Sequence, residues 1–171
     1  MPGTDANRSV TIEPVAEADR PLLWRFVQYY MHDLSEFDSR GPGADGEFSY
    51  DYFDLYFPPM APGRQAFFVR AGGALAGFAL LRRLENGRMQ MAEFFILRSH
   101  RRYGVGREAV AQLFALWPGP WDLTIHPNNL GAQRFWAGVI EEAGATDWDA
   151  RGGIVVWHRF TLGATGLASA G

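Results

Sequence analysis

Two glycines and three arginines lie close together in the sequence, at a point where a helix is expected to begin. Gly104 and Gly106 are separated by one residue. They are flanked by Arg101, Arg102 and Arg107. The start of a helix presents N–H groups without helical partners and carries partial positive charge, so it attracts anions. Because glycine lets a phosphate approach the backbone, the stretch is suited to a pyrophosphate. A tight turn with solvated arginines is the alternative.

The stretch differs from two common phosphate-binding loops. No Gly-Lys-Ser/Thr is present, which excludes the P-loop of nucleotide hydrolases. Ala109 stands where the third glycine of a dinucleotide-binding loop is expected. The identity of the anion therefore depends on the elements around the turn.

The composition favours one globular domain. The chain has 171 residues, of which 47% are hydrophobic. We expect a single domain over residues 1–171, ordered over about 9–162, with a small-residue tail at 163–171. A net charge of −3 does not favour binding to nucleic acid or to an anionic membrane. The sequence leaves a homodimer open.

The expected location is the cytoplasm. The chain contains no cysteine, which excludes disulfides and thiolate metal sites and fits a reducing compartment. No basic segment followed by an apolar run opens the sequence, so we expect no signal peptide. No stretch approaches the ~20 apolar residues of a membrane span, so we expect no membrane partner.

The hydrophobic pattern predicts a strand, two helices, three strands, a helix, a strand, a helix and one or two closing strands. Gly72–Gly73 and residues 85–87 have the residue types of hairpin turns. A helix separates the fourth and fifth strands, so these two are expected to be parallel. The predicted fold class is α/β (α+β): a mixed, mostly antiparallel sheet of about six to seven strands with helices on both faces.

Three segments resemble the GNAT superfamily of acyl-CoA-dependent N-acetyltransferases. The sequence R-R-Y-G-V-G at 101–106 resembles the Arg/Gln-x-x-Gly-x-Gly/Ala turn of that family. The preceding E-F-F-I-L-R-S-H resembles its fourth strand, and N-x-x-A-x-x-F-W at 129–136 resembles its fifth-strand-to-helix segment. The likeness covers roughly residues 60–160 in order and spacing. The N-terminal third matches as a strand followed by two helices.

The resemblance implies that acetyl-CoA is the cosubstrate and that no metal is needed. In this fold the fourth and fifth strands splay apart, and the thioester lies in the gap. Main-chain groups of Ile96 and Leu97 would pair with the pantetheine arm, and Asn129 would lie near it. The residues that would surround the pyrophosphate, through backbone N–H groups or side-chain charge, are Arg101, Arg102, Tyr103, Gly104, Val105, Gly106 and Arg107.

One residue departs from the family pattern. Many members have a tyrosine where this chain has Trp136, and that phenol protonates the departing thiolate. An indole cannot act as an acid at neutral pH. Another group or water must then supply the proton.

Amine attack on a thioester needs a base, and two residues are candidates. Glu93 lies on the predicted fourth strand, where family members often have a carboxylate, and His126 ends the fifth strand. Each residue also has a structural interpretation. Glu93 is then a strand residue that faces either solvent or an arginine in the core, and His126 caps a loop. His158 is a weaker candidate. His32 lies near Asp33 and Glu36, but no second cluster supports a metal site there.

The segment from Asp33 to Asp54 is acidic and aromatic. It contains seven carboxylates and one arginine, Arg40. In the GNAT fold this region borders the acceptor pocket, so Asp33 and Glu36 are predicted to attract a cationic amine. A solvated acidic surface over a core of aromatic residues is the alternative.

The sequence thus predicts an N-acetyltransferase that moves an acetyl group from acetyl-CoA to a small cationic amine. A non-catalytic acyl-CoA-binding or sensor domain is one alternative, favoured by the absence of tyrosine at position 136. A protein N-acetyltransferase is another, and an open acceptor cleft would favour it.

Overall fold

A seven-stranded sheet forms the centre of the molecule in the computed structural model, which describes residues 9–59 and 61–164. The strand order is β1-β2-β3-β4-β5-β7-β6. The strands are β1 (Val10–Pro14), β2 (Arg64–Ala71), β3 (Ala74–Arg83), β4 (Met89–Ile96), β5 (Gly119–Ile125), β6 (Thr146–Arg151) and β7 (Val156–Leu162). All neighbours are antiparallel except β4 and β5, which are parallel as predicted.

Three helices cover the two faces of the sheet: α1 (Arg20–Asp38), α2 (Val105–Leu116) and α3 (Leu130–Glu142). Helix α1 buries Leu23, Phe26 and Val27 against one face. Helices α2 and α3 bury apolar side chains such as Leu113 and Ile140 against the other face. Within the described ranges, no helix is long and apolar enough to cross a membrane.

Strands β4 and β5 separate after a short paired segment. They pair only from Met89 to Met91, opposite residues 121–123. The pairing of β4 with β3 then shifts register between Leu80 and Leu81, which leaves Ala92 as an extra residue in β4. Such a bulge bends its strand and increases its twist. The bulge therefore coincides with the point where β4 leaves β5, and the predicted splay is confirmed.

The separating strands β4 and β5 form a fork, and a buried ion pair stabilises the end at which the two strands are still paired. Asp122 on β5 is 3% exposed and accepts hydrogen bonds from Arg88 and Arg159. The Arg88 guanidinium also donates to the backbone carbonyls of Trp121, at 2.6 Å, and Phe160, at 3.2 Å. The charges are therefore paired and hydrogen-bonded, as buried charges must be.

Most predicted elements are present, with three differences. The apolar spacing from Leu22 to Met31 predicts a first helix that ends near Leu34, but α1 extends to Asp38, where Ser39 at φ 60° ends it. The aromatic segment after residue 47 contains only a 3₁₀ turn, Phe53–Tyr56. Strand β6 had no predicted bounds, because Trp148 and Ala150 are its only apolar residues and it contains no apolar run. The loose segment predicted at 1–8, and all but the first two residues of the predicted tail at 163–171, lie outside the described residues.

We predict that Gly77→Ala destabilises the fold. A Cβ at this position of β3 would lie 2.0 Å from the carbonyl oxygen of Phe95 on β4, so the two strands would have to move apart. Overpacking of this kind costs about 1–3 kcal/mol, measurable as a lower free energy of unfolding in urea.

The matched control is Gly152→Ala, because a Cβ there meets no atom within 4 Å. Its effect should stay within about 0.5 kcal/mol, as is usual for surface substitutions. Equal stability of the two variants would contradict the close approach of β3 and β4.

Candidate functional site

A cleft of about 450 Å³ opens where β4 and β5 separate. Helix α1, the end of β4, the glycine turn and α3 all contribute to its wall. Residues from each element that line it are Tyr30, Glu36, Ile96, Arg102, Gly106 and Trp136. The cleft therefore brings together residues that are up to about a hundred positions apart in the sequence.

The glycine turn leads directly into α2. Gly104 has φ 78° and precedes the first helical residue, and Arg102 has φ 67°. The first helical hydrogen bond runs from Glu108 N to Gly104 O, and no side chain caps this helix end. The N–H groups of residues 105–107 therefore have no partner within the helix, which is the arrangement that binds anions.

The absence of a side chain at Gly106 allows α2 to pack closely against α3, and it also leaves the backbone accessible to a phosphate. A Cβ at this position would lie 3.2 Å from the Phe135 ring of α3. The ring of Phe135 stacks on that of Phe94 at 5.9 Å, and Phe94 meets Trp136 edge-on at 5.5 Å. Trp136, which replaces the family tyrosine, is 7% exposed within this aromatic cluster. The cluster thus forms an apolar wall of the cleft.

The three arginines of the turn have different partners. Arg101 donates to the Ile96 carbonyl at 2.7 Å and to Asp33 at 2.6 Å. Arg107 instead forms an ion pair with Glu142 of α3. Arg102 is exposed and lines the cleft, which makes it the arginine most open to an incoming phosphate.

The exposed backbone of β4 determines which peptide groups face the opening. Leu97 donates its N–H to Ala76 O at 2.8 Å, so that group is engaged with the β3 side of the sheet. Peptide groups alternate between the two sides of a strand, so those of Phe94 and Ile96 point away from β3. Of the two residues predicted to pair with a pantetheine arm, Ile96 has the required orientation and the Leu97 N–H does not.

Glu93 is held by two tyrosines. Tyr30 of α1 donates to its Oε2 at 2.5 Å, and Tyr50 donates to its Oε1 at 3.0 Å. Burial raises the pKa of the Glu93 carboxyl above its usual range, although both phenol hydrogen bonds oppose the shift. A carboxyl with a raised pKa is a better proton acceptor near neutral pH than an ordinary glutamate.

His126 and Asn129 lie on the other side of the fork. The Nδ1 atom of His126 accepts from Asn128 N at 3.2 Å, and its ring stacks on Phe37 at 6.1 Å. His126 does not line the cleft, whereas Asn129 does. Asn129 also caps α3, because its Oδ1 accepts from Ala132 N at 3.0 Å. His126 therefore acts as a loop cap in this structure.

Asp33 and Glu36, the two carboxylates predicted to attract the amine substrate, differ in their surroundings. Partial burial opposes ionisation of Asp33, but hydrogen bonds from Arg98 and Arg101 hold its pKa below its usual range. Two guanidinium groups therefore already neutralise this carboxylate. Glu36 is exposed, lines the same cleft and forms no ion pair within the described ranges.

Most of the remaining acidic segment has a structural role. Asp38 pairs with Arg40, and Asp54 pairs with Arg20. The aromatic side chains of Phe53, Tyr56 and Phe57 are at most 6% exposed and belong to the core under α1. No group of three or more histidine, aspartate or glutamate side chains in the described part of the chain could hold a metal ion.

Sequence reasoning missed the two tyrosines that bind Glu93. Tyr30 lies in α1, and Tyr50 lies in the acidic and aromatic segment from Asp33 to Asp54. Both contacts join residues far apart in sequence, 63 and 43 positions, so no local pattern reports them.

Comparison with known proteins is consistent with this geometry. The profile of the acetyltransferase (GNAT) family matches residues 26–138. A comparison with curated protein sequences finds no match.

Solved structures of acetyltransferases share the fold. An acetyltransferase from Thermus thermophilus superposes with a TM-score of 0.68 at 18% identity, covering 90% of this chain and 97% of that one. Diaminobutyrate acetyltransferase EctA from Paenibacillus lautus, solved with L-2,4-diaminobutyric acid and coenzyme A, gives 0.59 at 14% identity, covering 91% and 96%. Aminoglycoside acetyltransferase AAC(6')-Ib, solved with coenzyme A, gives 0.63 at 16% identity, covering 90% and 95%.

These identities support the fold alone, whereas the family profile covers more than half of the sequence. The matched region includes most of α1, all of β2 to β5, the glycine turn and most of α3. The chain belongs to the acetyltransferase (GNAT) family.

Proposed function

We propose that the protein transfers an acetyl group from acetyl-CoA to the primary amine of a small cationic molecule. The observation that carries the proposal is the cleft in the β4–β5 fork. It joins an uncapped helix start to a tyrosine that is hydrogen-bonded to a half-buried carboxylate. Coenzyme-dependent acyl transfer to an amine requires an anion-binding group and a proton acceptor, here a carboxylate connected to the cleft by one hydrogen bond.

The coenzyme occupies the fork in this proposal. Its pyrophosphate accepts hydrogen bonds from the N–H groups at the start of α2, with Arg102 adding charge. Its pantetheine arm pairs with the outward peptide groups of Ile96 and Phe94. Arg101 donates to the Ile96 carbonyl at 2.7 Å, so binding of the arm requires this guanidinium to move or to share that oxygen. EctA and the aminoglycoside acetyltransferase, which share the fold, were both solved with coenzyme A.

Glu93 is the base that the geometry favours. Its carboxylate is joined to the cleft through Tyr30, and burial raises its pKa. His126 has one ring nitrogen engaged by the loop and lies outside the cleft wall. We therefore assign proton acceptance to Glu93 and a supporting structural role to His126.

Glu36 is the carboxylate that we assign to the acceptor. It lines the cleft and is exposed, whereas Asp33 is already paired with two arginines. A carboxylate at the cleft wall attracts a cation by Coulomb interaction. Two proteins of the same fold, diaminobutyrate acetyltransferase EctA and the aminoglycoside acetyltransferase, are named for amine substrates, which supports an amine acceptor here.

We predict that Gly106→Glu weakens coenzyme A binding more than tenfold, which corresponds to about 1.4 kcal/mol. The new carboxylate would lie at the start of α2 and repel the phosphates. Isothermal titration calorimetry with coenzyme A measures the change, and Gly152→Glu is the control with the same added charge in open space. Equal affinities of two folded variants would place the coenzyme elsewhere.

We predict that Glu93→Gln lowers kcat by about 10²-fold or more, the usual contribution of a general base. His126→Ala should cause a smaller loss, because that ring is outside the cleft wall. The base must be deprotonated to act, so kcat of the wild type should rise with pH through the raised pKa of Glu93. Glu93→Gln should abolish that rise. The reverse order of the two losses would make His126 the base.

We predict that Glu36→Gln raises KM for a cationic amine by up to about fivefold, since an exposed ion pair contributes about 1 kcal/mol or less. Added salt should raise the wild-type KM, because exposed charges are screened over about 8–10 Å at physiological ionic strength. In Glu36→Gln this salt dependence should be smaller.

Asp51→Asn is the matched control, because Asp51 is exposed in the same acidic segment but does not line the cleft. It should leave KM unchanged. A neutral amine as the best acceptor, with no salt effect, would show that the acidic segment is only a solvated surface.

A further inference from the structure

We propose that Tyr30 is a catalytic residue that carries the proton from the acceptor nitrogen to Glu93. The inference rests on the proposed acetyl transfer and deepens it. It assigns contact with the substrate to a residue of α1 rather than to the carboxylate of β4.

The first observation is that phenols cover both oxygens of Glu93. Tyr30 occupies Oε2 at 2.5 Å, and Tyr50 occupies Oε1 at 3.0 Å. The carboxylate lies beneath α1 and the aromatic segment, and it is not part of the cleft wall. A substrate nitrogen in the cleft therefore meets a phenol before it meets the carboxylate.

The second observation distinguishes the two tyrosines. Tyr30 lines the cleft, together with Phe94 and Phe95 of the same β4 segment. Tyr50 lines a separate surface depression beside Trp24 and Asp54. Of the two tyrosines that are hydrogen-bonded to Glu93, only Tyr30 therefore connects the carboxylate to the cleft.

The third observation is that the Tyr30 ring is fixed. It packs edge-on against Phe78, with ring centroids 5.7 Å apart and an interplanar angle of 88°. It also packs against Phe95 at 5.9 Å. A ring held on two sides keeps its hydroxyl aimed at Glu93 and costs little further entropy when substrate binds.

The hydrogen-bonding capacity of tyrosine suits a relay. A phenol donates one hydrogen bond and accepts another through its oxygen lone pairs. Tyr30 uses its hydrogen on Glu93, so its oxygen remains able to accept from an amine. Burial and the neighbouring carboxylate raise the pKa of Tyr30 well above its usual range, so it does not ionise by itself. It passes one proton on as it receives another, and Glu93 is the final acceptor.

The neutral acceptor nitrogen forms a C–N bond with the acetyl carbon, and the C–S bond breaks with its electron pair remaining on sulfur. One nitrogen proton moves to the Tyr30 oxygen while the original Tyr30 proton moves to Oε2 of Glu93. The coenzyme thiolate then takes a proton from solvent, and Glu93 releases one to solvent. Trp136 is not required as an acid in this sequence.

The test compares Tyr30→Phe with Tyr50→Phe in the full chain, using steady-state acetyl transfer to an accepted amine across a range of pH. Each variant removes one hydrogen bond that lowers the pKa of Glu93, so both should shift the rise in kcat to higher pH. Only Tyr30→Phe removes the relay, so its high-pH plateau should fall about 10²-fold or more. The plateau of Tyr50→Phe should fall less than about tenfold, since the route to Glu93 remains.

A double-mutant cycle separates a relay from a structural role. If Tyr30 and Glu93 act as one unit, Tyr30→Phe/Glu93→Gln should be no slower than the slower single variant. Coenzyme A affinity, measured by calorimetry, should be equal in all variants. The chain has no lysine, so acetylation of its own lysine side chains cannot contribute to the acetyl-CoA consumed.

Three outcomes overturn the proposal. Equal plateaus for the two tyrosine variants would show that Tyr30 does no more than Tyr50. Multiplicative losses in the double variant would show that Tyr30 and Glu93 act independently. A wild-type protein that acetylates no amine would refute the proposed function and the relay together, whereas the first two outcomes refute the relay alone.

Discussion

The functional geometry depends on the incomplete pairing of β4 with β5. The two strands are bonded only from Met89 to Met91 on the β4 side, and Arg88 and Asp122 lock that end with buried hydrogen bonds. Beyond the extra residue Ala92, β4 continues along β3 and leaves β5. The unpaired peptide groups of β4 would be costly if they were buried without partners, and the cleft instead exposes them to a ligand. The bulge thus lies where the cleft opens and where the backbone edge along it begins.

Charge is divided along this cleft in a way that suits the proposed reaction. The start of α2 and Arg102 provide positive potential, and Glu93, which we propose as the proton acceptor, is hydrogen-bonded to Tyr30 of α1. Arg101 connects the two regions, because it binds both the Ile96 carbonyl and Asp33 of α1. A ligand that displaces Arg101 from Ile96 would therefore also act on α1, the helix that presents Tyr30.

The sequence predicted the parts of this arrangement that depend on local chemistry. Glycine spacing and helix periodicity located the turn at 104–106 and the start of α2, and the helix between β4 and β5 indicated that the two strands are parallel. The contact of Tyr30 with Glu93 depends on how α1 lies on the sheet, which no local pattern encodes. The pairing of Leu97 with Ala76 depends on the register that follows the bulge, and β6 has only two apolar residues, Trp148 and Ala150, which are too few to mark a strand. The ion pairs of Asp33 with Arg98 and Arg101 join residues more than sixty positions apart, so the sequence did not report them.

The most direct test of the account is a crystal structure of the protein with acetyl-CoA bound. The account predicts the pyrophosphate at the N–H groups of residues 105–107, the pantetheine arm bonded to Ile96, and the acetyl group within reach of the Tyr30 hydroxyl. Arg101 should have moved from the Ile96 carbonyl or share it with the arm. Coenzyme bound outside the β4–β5 fork, for example in the groove between α2 and α3 beside Arg107 and Glu142, would contradict the account.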